Sequence, residues 1–238
     1  MKRRRASMSI SDFIKAYKWH VVIWIIGLIV LGNVIYKKVT APTYLLNGIL
    51  LGAEAGEDAA TTLAGDFAEL VGYGDTVYAV NFDTEYSYIP GNAENAENNY
   101  ETTEKIVSQV ENKSLDFVAG PIDSMSDIAH NTMFVELTTY LSPEQLKLVE
   151  PYLLYVDSAV IEELDAAYES KEDTSKIKLP DPRKPEEMEE PVAVMIDMSS
   201  CEKFAPIYGN SDETIAFGII TSAPNEDMLM QFIDYLMK

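Results

Sequence analysis

Cysteine is almost absent from this 238-residue chain. Cys201 is the single one, so no disulfide can form within it. An extracytoplasmic domain without disulfides is ordinary on bacterial surfaces and unusual among animal secreted modules. Cys201 also lies far from the N-terminus, which excludes a lipid carried by a cysteine just after a signal sequence. Histidine is nearly as scarce, with His20 and His130 alone. General acid–base chemistry by imidazole therefore has one candidate outside the N-terminal apolar run, and His130 is expected at a surface or a helix end. The sequence holds no His-Glu-x-x-His, P-loop, Gly-x-Ser-x-Gly or paired-cysteine zinc pattern. Carboxylates are so numerous that a pair at glycosidase spacing carries no information. No catalytic residue is assigned, no cofactor is expected, and the chain does not read as an enzyme.

Positive charge is scarce through most of the length. Residues 1–38 carry eight basic side chains against one acid, while the rest carries ten against 38 acids, so the formal net charge of −21 divides into +7 and −28. A domain that acidic repels nucleic acid and anionic headgroups within the screening length, and nucleic acid is excluded as a partner. It suits cationic or neutral partners, or solubility alone. Calcium is the metal with most support. Asn81, Asp83, Glu85 and the polar loop at residues 92–99 offer oxygen ligands, but their spacing and the glycine position do not fit an EF-type loop. No metal site is assigned, and the loop is expected to be solvated.

What the N-terminal region does contain is one long apolar run. Residues 19–36, WHVVIWIIGLIVLGNVIY, carry no formal charge, with Trp19 and Tyr36 at the two ends. As a helix they rise about 27 Å, close to the hydrocarbon thickness of a bilayer, and amphipathic rings favour its interfaces. Six basic residues precede the run and Lys37 and Lys38 follow it, which orients the N-terminus to the cytoplasm. The small-residue pattern Val39-Thr40-Ala41 resembles a cleavage site, but Pro42 would follow the cut and the run exceeds a signal-peptide core. The expected organisation is a basic cytoplasmic tail at residues 1–18 and a transmembrane helix at 19–38. An acidic extracytoplasmic domain follows at 42–238. The chain is thus expected to be a single-pass protein of the plasma membrane with its C-terminal domain outside.

Within that domain, residues 43–51 are apolar and readable as strand or helix. Ala59, Leu63, Phe67 and Leu70 fall at helical spacing, and Gly72 and Gly74 supply a stop. TVYAVNF at 76–82 reads as a strand, 103–110 as a helix, and 115–119 as a second strand. Residues 122–130 suit a short helix or turn. Ser142-Pro143-Glu144-Gln145 has the form of a capped helix start. A strand at 152–156 and an acidic helix at 159–168 precede a connector at 171–191, which carries Pro180, Pro182, Pro185 and Pro191. Two buried-looking strands, 192–198 and 214–221, lead to a final helix. Asn225 is its expected cap, and Met228, Phe232 and Leu236 its apolar stripe. Strands separated by helices predict one compact α/β domain with a mixed, largely parallel sheet.

Four segments, taken in order, resemble the extracellular solute-binding proteins of ABC transporters, of the type II periplasmic-binding-protein kind with two lobes around a cleft. They are LDFVAGPIDSMSDIAH at 115–130, FVELTTYLSPEQL at 134–146, DPRKPEEMEEPVAVMIDMSS at 181–200 and TIAFGIITSAPNEDMLMQFIDYL at 214–236. Similar anchored chains occur in Gram-positive bacteria. The resemblance implies a binding role. It departs from the family at one place, because Met198 and Thr214 are separated by 15 positions where the family inserts a second lobe. So short a segment cannot hold a lobe with its own core, which implies a single lobe without hinge closure.

In α/β sheets ligands bind at the C-terminal ends of strands. That rule selects Asp123 and Ser124 after the second strand, Asp197, Ser199 and Ser200 after VAVMI, and Ser222 after the last strand. Small polar residues at strand ends are also ordinary helix caps. The leading reading is a membrane-anchored binding or interaction module for a small solute, a peptide or a membrane-protein partner. An accessory subunit of a membrane complex without a ligand is the alternative, and a carboxylate-based envelope hydrolase a weaker one.

Overall fold

The run YLLNGIL, which periodicity leaves open between strand and helix, is a strand, β1 (Tyr44–Leu50). In this computed structural model the described residues are 44–74, 79–91, 93–209 and 213–238, with seven positions between 23 and 32. Residues Met1–Thr43 and Tyr44–Lys238 form two separate units. In the first, Ile23, Trp24, Ile26, Leu28 and Ile29 are helical and exposed. The expected tail at 1–18 and most of the expected span at 19–38 lie outside the described residues. Among the described residues no helix is long and apolar enough to cross a membrane.

In the second unit, β1 leads into helix α1 (Glu57–Leu70), strand β2 (Ala79–Asp83), helix α2 (Ala96–Glu111) and strand β3 (Phe117–Pro121). Helices α3 (Ile122–Ala129), α4 (Leu137–Tyr140) and α5 (Pro143–Val149) follow, then strand β4 (Leu153–Asp157) and helix α6 (Ser158–Ser170). Strands β5 (Pro191–Asp197) and β6 (Ile215–Ile219) precede the last helix, α7 (Glu226–Met237). At α5 the expected start is present in full. The Ser142 hydroxyl accepts from the Gln145 N–H, and the Gln145 side chain accepts from the Ser142 N–H.

The six strands form one sheet in the order β2-β1-β3-β6-β5-β4. It is mixed, as expected, but it is not largely parallel. Strand β1 runs parallel to β2 and β3, whereas the β3–β6, β6–β5 and β5–β4 pairs are antiparallel. The link from β5 to β6 explains part of this. Among its described residues it carries one short helical turn, Ala205–Tyr208, and no crossover helix, and the returning strand lies beside β5 in the opposite direction. Strand direction leaves no mark on the alternation of apolar residues.

Helices cover both faces. On one, Phe67 of α1, Leu137, Val149 of α5 and Phe232 of α7 pack with Leu46, Phe117 and Phe217 of the sheet. Phe117 stacks on Phe217 with ring centroids 4.6 Å apart, and its ring covers Gly48 so closely that an added Cβ would sit 2.1 Å from it. On the other face, Ile106 of α2 and Met125 and Ile128 of α3 pack with Ile49, Val118 and Val194. Three helices differ in detail from expectation. Leu70 is 63% exposed, and α1 buries Leu63 and Phe67 as expected, with Ala60 and Ala64 beside them. Helix α2 begins inside the polar loop, where Asn98 and Asn99 donate to the backbone carbonyls of Ser87 (2.8 Å) and Ile89 (2.7 Å). The buried face of α7 centres on Leu229, Phe232, Ile233 and Leu236, one position round from Met228.

The cap of α7 also differs. Asn225 occupies the N-cap but makes no side-chain cap, and its Nδ2 donates to Asp116 (3.1 Å). Asp116 is fully buried just before β3. Its carboxylate accepts from the backbone N–H groups of Asn47 (2.8 Å) and Asn225 (2.9 Å) as well. Asn47 in turn accepts from Asn81 of β2 (2.8 Å) and donates to Gln109 of α2 (3.1 Å) and to the Ser114 carbonyl. Burial pushes the Asp116 carboxyl above its ordinary value, and the Asn225 and Asn47 donors pull it only partly back.

Asp116→Ala is expected to destabilise the domain by about 3 kcal/mol, since it strands buried donors. A raised folded-state pKa stabilises most at low pH and loses that contribution as pH rises through the folded value. The gap between wild type and variant should therefore widen as pH falls from neutrality towards the ordinary carboxylate value. Urea unfolding across that range measures both effects, and a gap that narrows would count against the assignment.

Candidate functional site

The loop from β2 to α2, the connector from α6 to β5 and helix α3 meet on the α2/α3/α6 face. Two contacts hold the loop to α3. The Ser124 hydroxyl donates to the Tyr88 carbonyl (2.5 Å), and the Tyr88 hydroxyl donates to the Asp127 carboxylate. Burial pushes the Tyr88 phenol well above its ordinary value, and the Asp127 contact pushes it further, so the hydroxyl keeps its proton and acts as a donor. The connector is held on the sheet side, where its Pro182 carbonyl accepts from the Tyr155 N–H of β4 (2.9 Å).

Asp157, at the end of β4, fixes both the start of α6 and the end of the connector. It is buried and accepts from the N–H groups of Ala159 (3.1 Å), Glu189 (2.8 Å) and Glu190 (3.0 Å). Burial alone would push its carboxyl up. The donors of Glu189, Glu190 and Ala159, with His130 nearby, outweigh burial and hold it below the usual carboxylate value.

Between these elements lies a cavity of about 390 Å³, with Tyr88, Asp127, His130, Asp165 and Tyr168 among its polar lining. His130 stands at the C-cap of α3. It is at a helix end, as expected, but it is 6% exposed and therefore not a surface residue. Its Nδ1 lies 2.6 Å from the Ser126 carbonyl. A carbonyl only accepts, so Nδ1 donates to it, which leaves Nε2 as the other polar atom of the ring. That Nε2 is buried and has no hydrogen-bond partner among the described residues. Ile106, Ile128, Met133 and Leu164 supply apolar wall.

A second groove adjoins the first, sharing Asp127 and Leu179, and is lined by Asp123 and Arg183. Arg183 donates to both Asp181 carboxylate oxygens (2.8 and 2.9 Å). That contact raises the guanidinium pKa, and the charges of Asp123 and Asp197 add to it.

The six residues selected from strand ends divide accordingly. Asp123 is exposed at the start of α3, and Ser124 is buried there with its hydroxyl committed to Tyr88. Asp197 accepts from the Ser199 N–H (2.9 Å) and hydroxyl (2.5 Å), while the Ser199 oxygen accepts from the Ile215 N–H (2.8 Å). Ser200 is exposed in the same turn. These five share the edge where β3 and β5 end. Ser222, beyond β6, is at the opposite edge and donates to the Val110 carbonyl (3.1 Å). Tyr88, Asp127 and Asp165 were not singled out by sequence pattern, because no motif links a loop tyrosine to carboxylates on two helices. Among the described residues no group of three His, Cys, Asp or Glu side chains is placed to hold a metal ion.

Neither a protein-family model nor a curated protein matches the chain. Among solved structures it is similar to the PBP AgtB from A. tumefacien in complex with agropinic acid, at 11% identity and TM-score 0.36, covering 81% of this chain and 77% of that one. It is also similar to an ABC transporter substrate-binding protein from Bradyrhizobium japonicum, at 11% identity and TM-score 0.34, with the same coverage. At these TM-scores the likenesses carry no argument about ligand or role.

Asp157→Ala tests how the cavity wall is held, and its pH dependence is opposite to that of Asp116. A lowered folded-state pKa stabilises above the unfolded value and loses that contribution as pH falls through the folded one. The variant should be about 2 kcal/mol less stable at neutral pH. The deficit should shrink as pH drops from about 7 to 3. Unfolding curves at the two pH values measure the difference.

Proposed function

We propose that this chain is a membrane-tethered extracytoplasmic binding module that takes a small solute in the cavity between α2, α3 and α6. The observation that carries the reading is the buried, unpartnered His130 Nε2 beside a cavity of about 390 Å³. That volume falls within the roughly 300–1,000 Å³ range of small-molecule sites, and a few convergent polar groups on an apolar wall are their usual lining. An unpaired buried polar atom is costly in a folded protein, and a bound partner relieves that cost. Asp123, at the adjoining groove, belongs to the same recognition surface. The apolar run at residues 19–36, with its interfacial Trp19 and Tyr36 and the basic excess before it, supports the tether and a cytoplasmic N-terminus.

Two experiments test this reading. A thermal-shift screen of the full-length chain against amino acids, sugars, peptides and Ca²⁺ should give a stabilising shift with at least one class, abolished in His130→Phe. No shift with any class would overturn the binding reading. For the tether, the full-length chain should stay in the membrane fraction after a carbonate wash. Removal of residues 1–41 should release it, and a full-length chain extracted by carbonate would overturn that part.

A further inference from the structure

The lining of the cavity is unbalanced in a way that selects one class of ligand. Its donors are largely spent on the protein itself. The Tyr88 hydroxyl donates to Asp127, the Thr103 hydroxyl to the Asn99 carbonyl (2.8 Å), Asn131 Nδ2 to the Asp127 carbonyl (3.1 Å), and His130 Nδ1 to the Ser126 carbonyl. The acceptors face the other way. Asp127 and Asp165 bring two carboxylates to the lining, and His130 Nε2 adds a buried polar atom with no hydrogen-bond partner among the described residues. No lysine or arginine is among the described residues that line it. Lys176, on the neighbouring connector, is engaged by Asp173 at 3.8 Å.

We infer that the cavity binds an organic cation, a primary ammonium or guanidinium on a short aliphatic chain, with its charge set against the carboxylates of the lining. This rests on the binding reading above and adds the chemistry of the ligand. An ammonium carries three donors and no acceptor, so it complements a wall that offers acceptors and lacks cations. A carboxylate or phosphate would meet the two aspartates with no cation to offset their repulsion. Ile106, Ile128 and Leu164 suit the methylene part of such a ligand, as apolar stems bury beside charged heads elsewhere in proteins. Tyr88 and Tyr168 add aromatic surface, which favours cations over anions. Tyr168 is 62% exposed and stands at the rim. The charge of −28 after residue 38 concentrates cations near the domain and speeds their capture.

Three probes with the same four-carbon chain isolate charge from shape: putrescine, butane-1,4-diol and succinate, with agmatine as the guanidinium form. Isothermal titration of the full-length chain should detect putrescine or agmatine binding and no heat from the diol or succinate. Asp165→Asn, on an exposed rim position, and Asp127→Asn should each weaken binding about tenfold or more, in the manner of lost charge pairs. Glu69→Gln, on α1 across the sheet, should leave it unchanged. Equal weakening by all three substitutions, or by none, would reduce the effect to counterion attraction and overturn the site. Binding of the diol or succinate that is lost in His130→Phe would keep the binding module and overturn the cation inference. Absence of heat from every probe would overturn the cation inference, and the wider screen then stands alone as the judge of the module.

Discussion

One carboxylate holds the domain's central strands, its last helix and its sheet register together. Asp116 precedes β3 with no exposure, and its two oxygens gather N–H groups from β1 and from the start of α7. The parallel β1–β3 register, Gly48 against Phe117, begins directly after that contact. The same register sets the Phe117 ring over Gly48, and that ring is the centre of the aromatic stack with Phe217 and Phe232. A polar knot at one end of the sheet thus positions the apolar core above it. Buried carboxylates of this kind are expensive, and here two backbone N–H groups and the Asn225 amide offset part of that cost.

That choice of donor recurs elsewhere in this acidic domain. Asp157 is likewise satisfied by three backbone N–H groups. Four ion pairs among the described residues are local and lie at the surface, Lys176–Asp173, Arg183–Asp181, Lys184–Glu187 and Lys238–Asp234, while Lys105–Asp83 joins α2 to β2 at 3.8 Å. Pairs like these contribute little to stability. Folding therefore relies on burial and backbone geometry, and most surface acids remain uncompensated. The field they create is then available for function.

Much of the architecture was legible because it follows from local rules. The capping box at Ser142 and Gln145, the proline-rich connector and the strand positions each rest on short-range chemistry. Three things were not legible, for physical reasons. Strand direction depends on how connections pack, not on which residues alternate, so a mixed sheet with more antiparallel pairing was read as largely parallel. Asn225 sits at its predicted cap position but answers to Asp116, 109 residues away. Asp116 itself falls inside the strand expected at 115–119, with nothing in the sequence to mark it as the buried acceptor of three N–H groups. His130 failed differently. Its place at a helix end was right, yet nothing in the local sequence marks its burial there.

The site also inverts the rule used to look for it. Residues at the strand ends, such as Ser124 and Ser199, spend their hydroxyls on fastening turns, which is the ordinary use of small polar residues there. The cavity lies behind them, over α3, where a loop and a connector close on a helix. A cavity on that face requires no second lobe, because its walls come from elements packed against a single sheet. The short link between Met198 and Thr214 then ceases to argue against ligand binding. It argues only against binding by hinge closure. A single lobe that recognises its ligand this way must do so with walls already in place, which is why the fastening of the loop by Ser124 and of the connector by Asp157 matters more here than mobility.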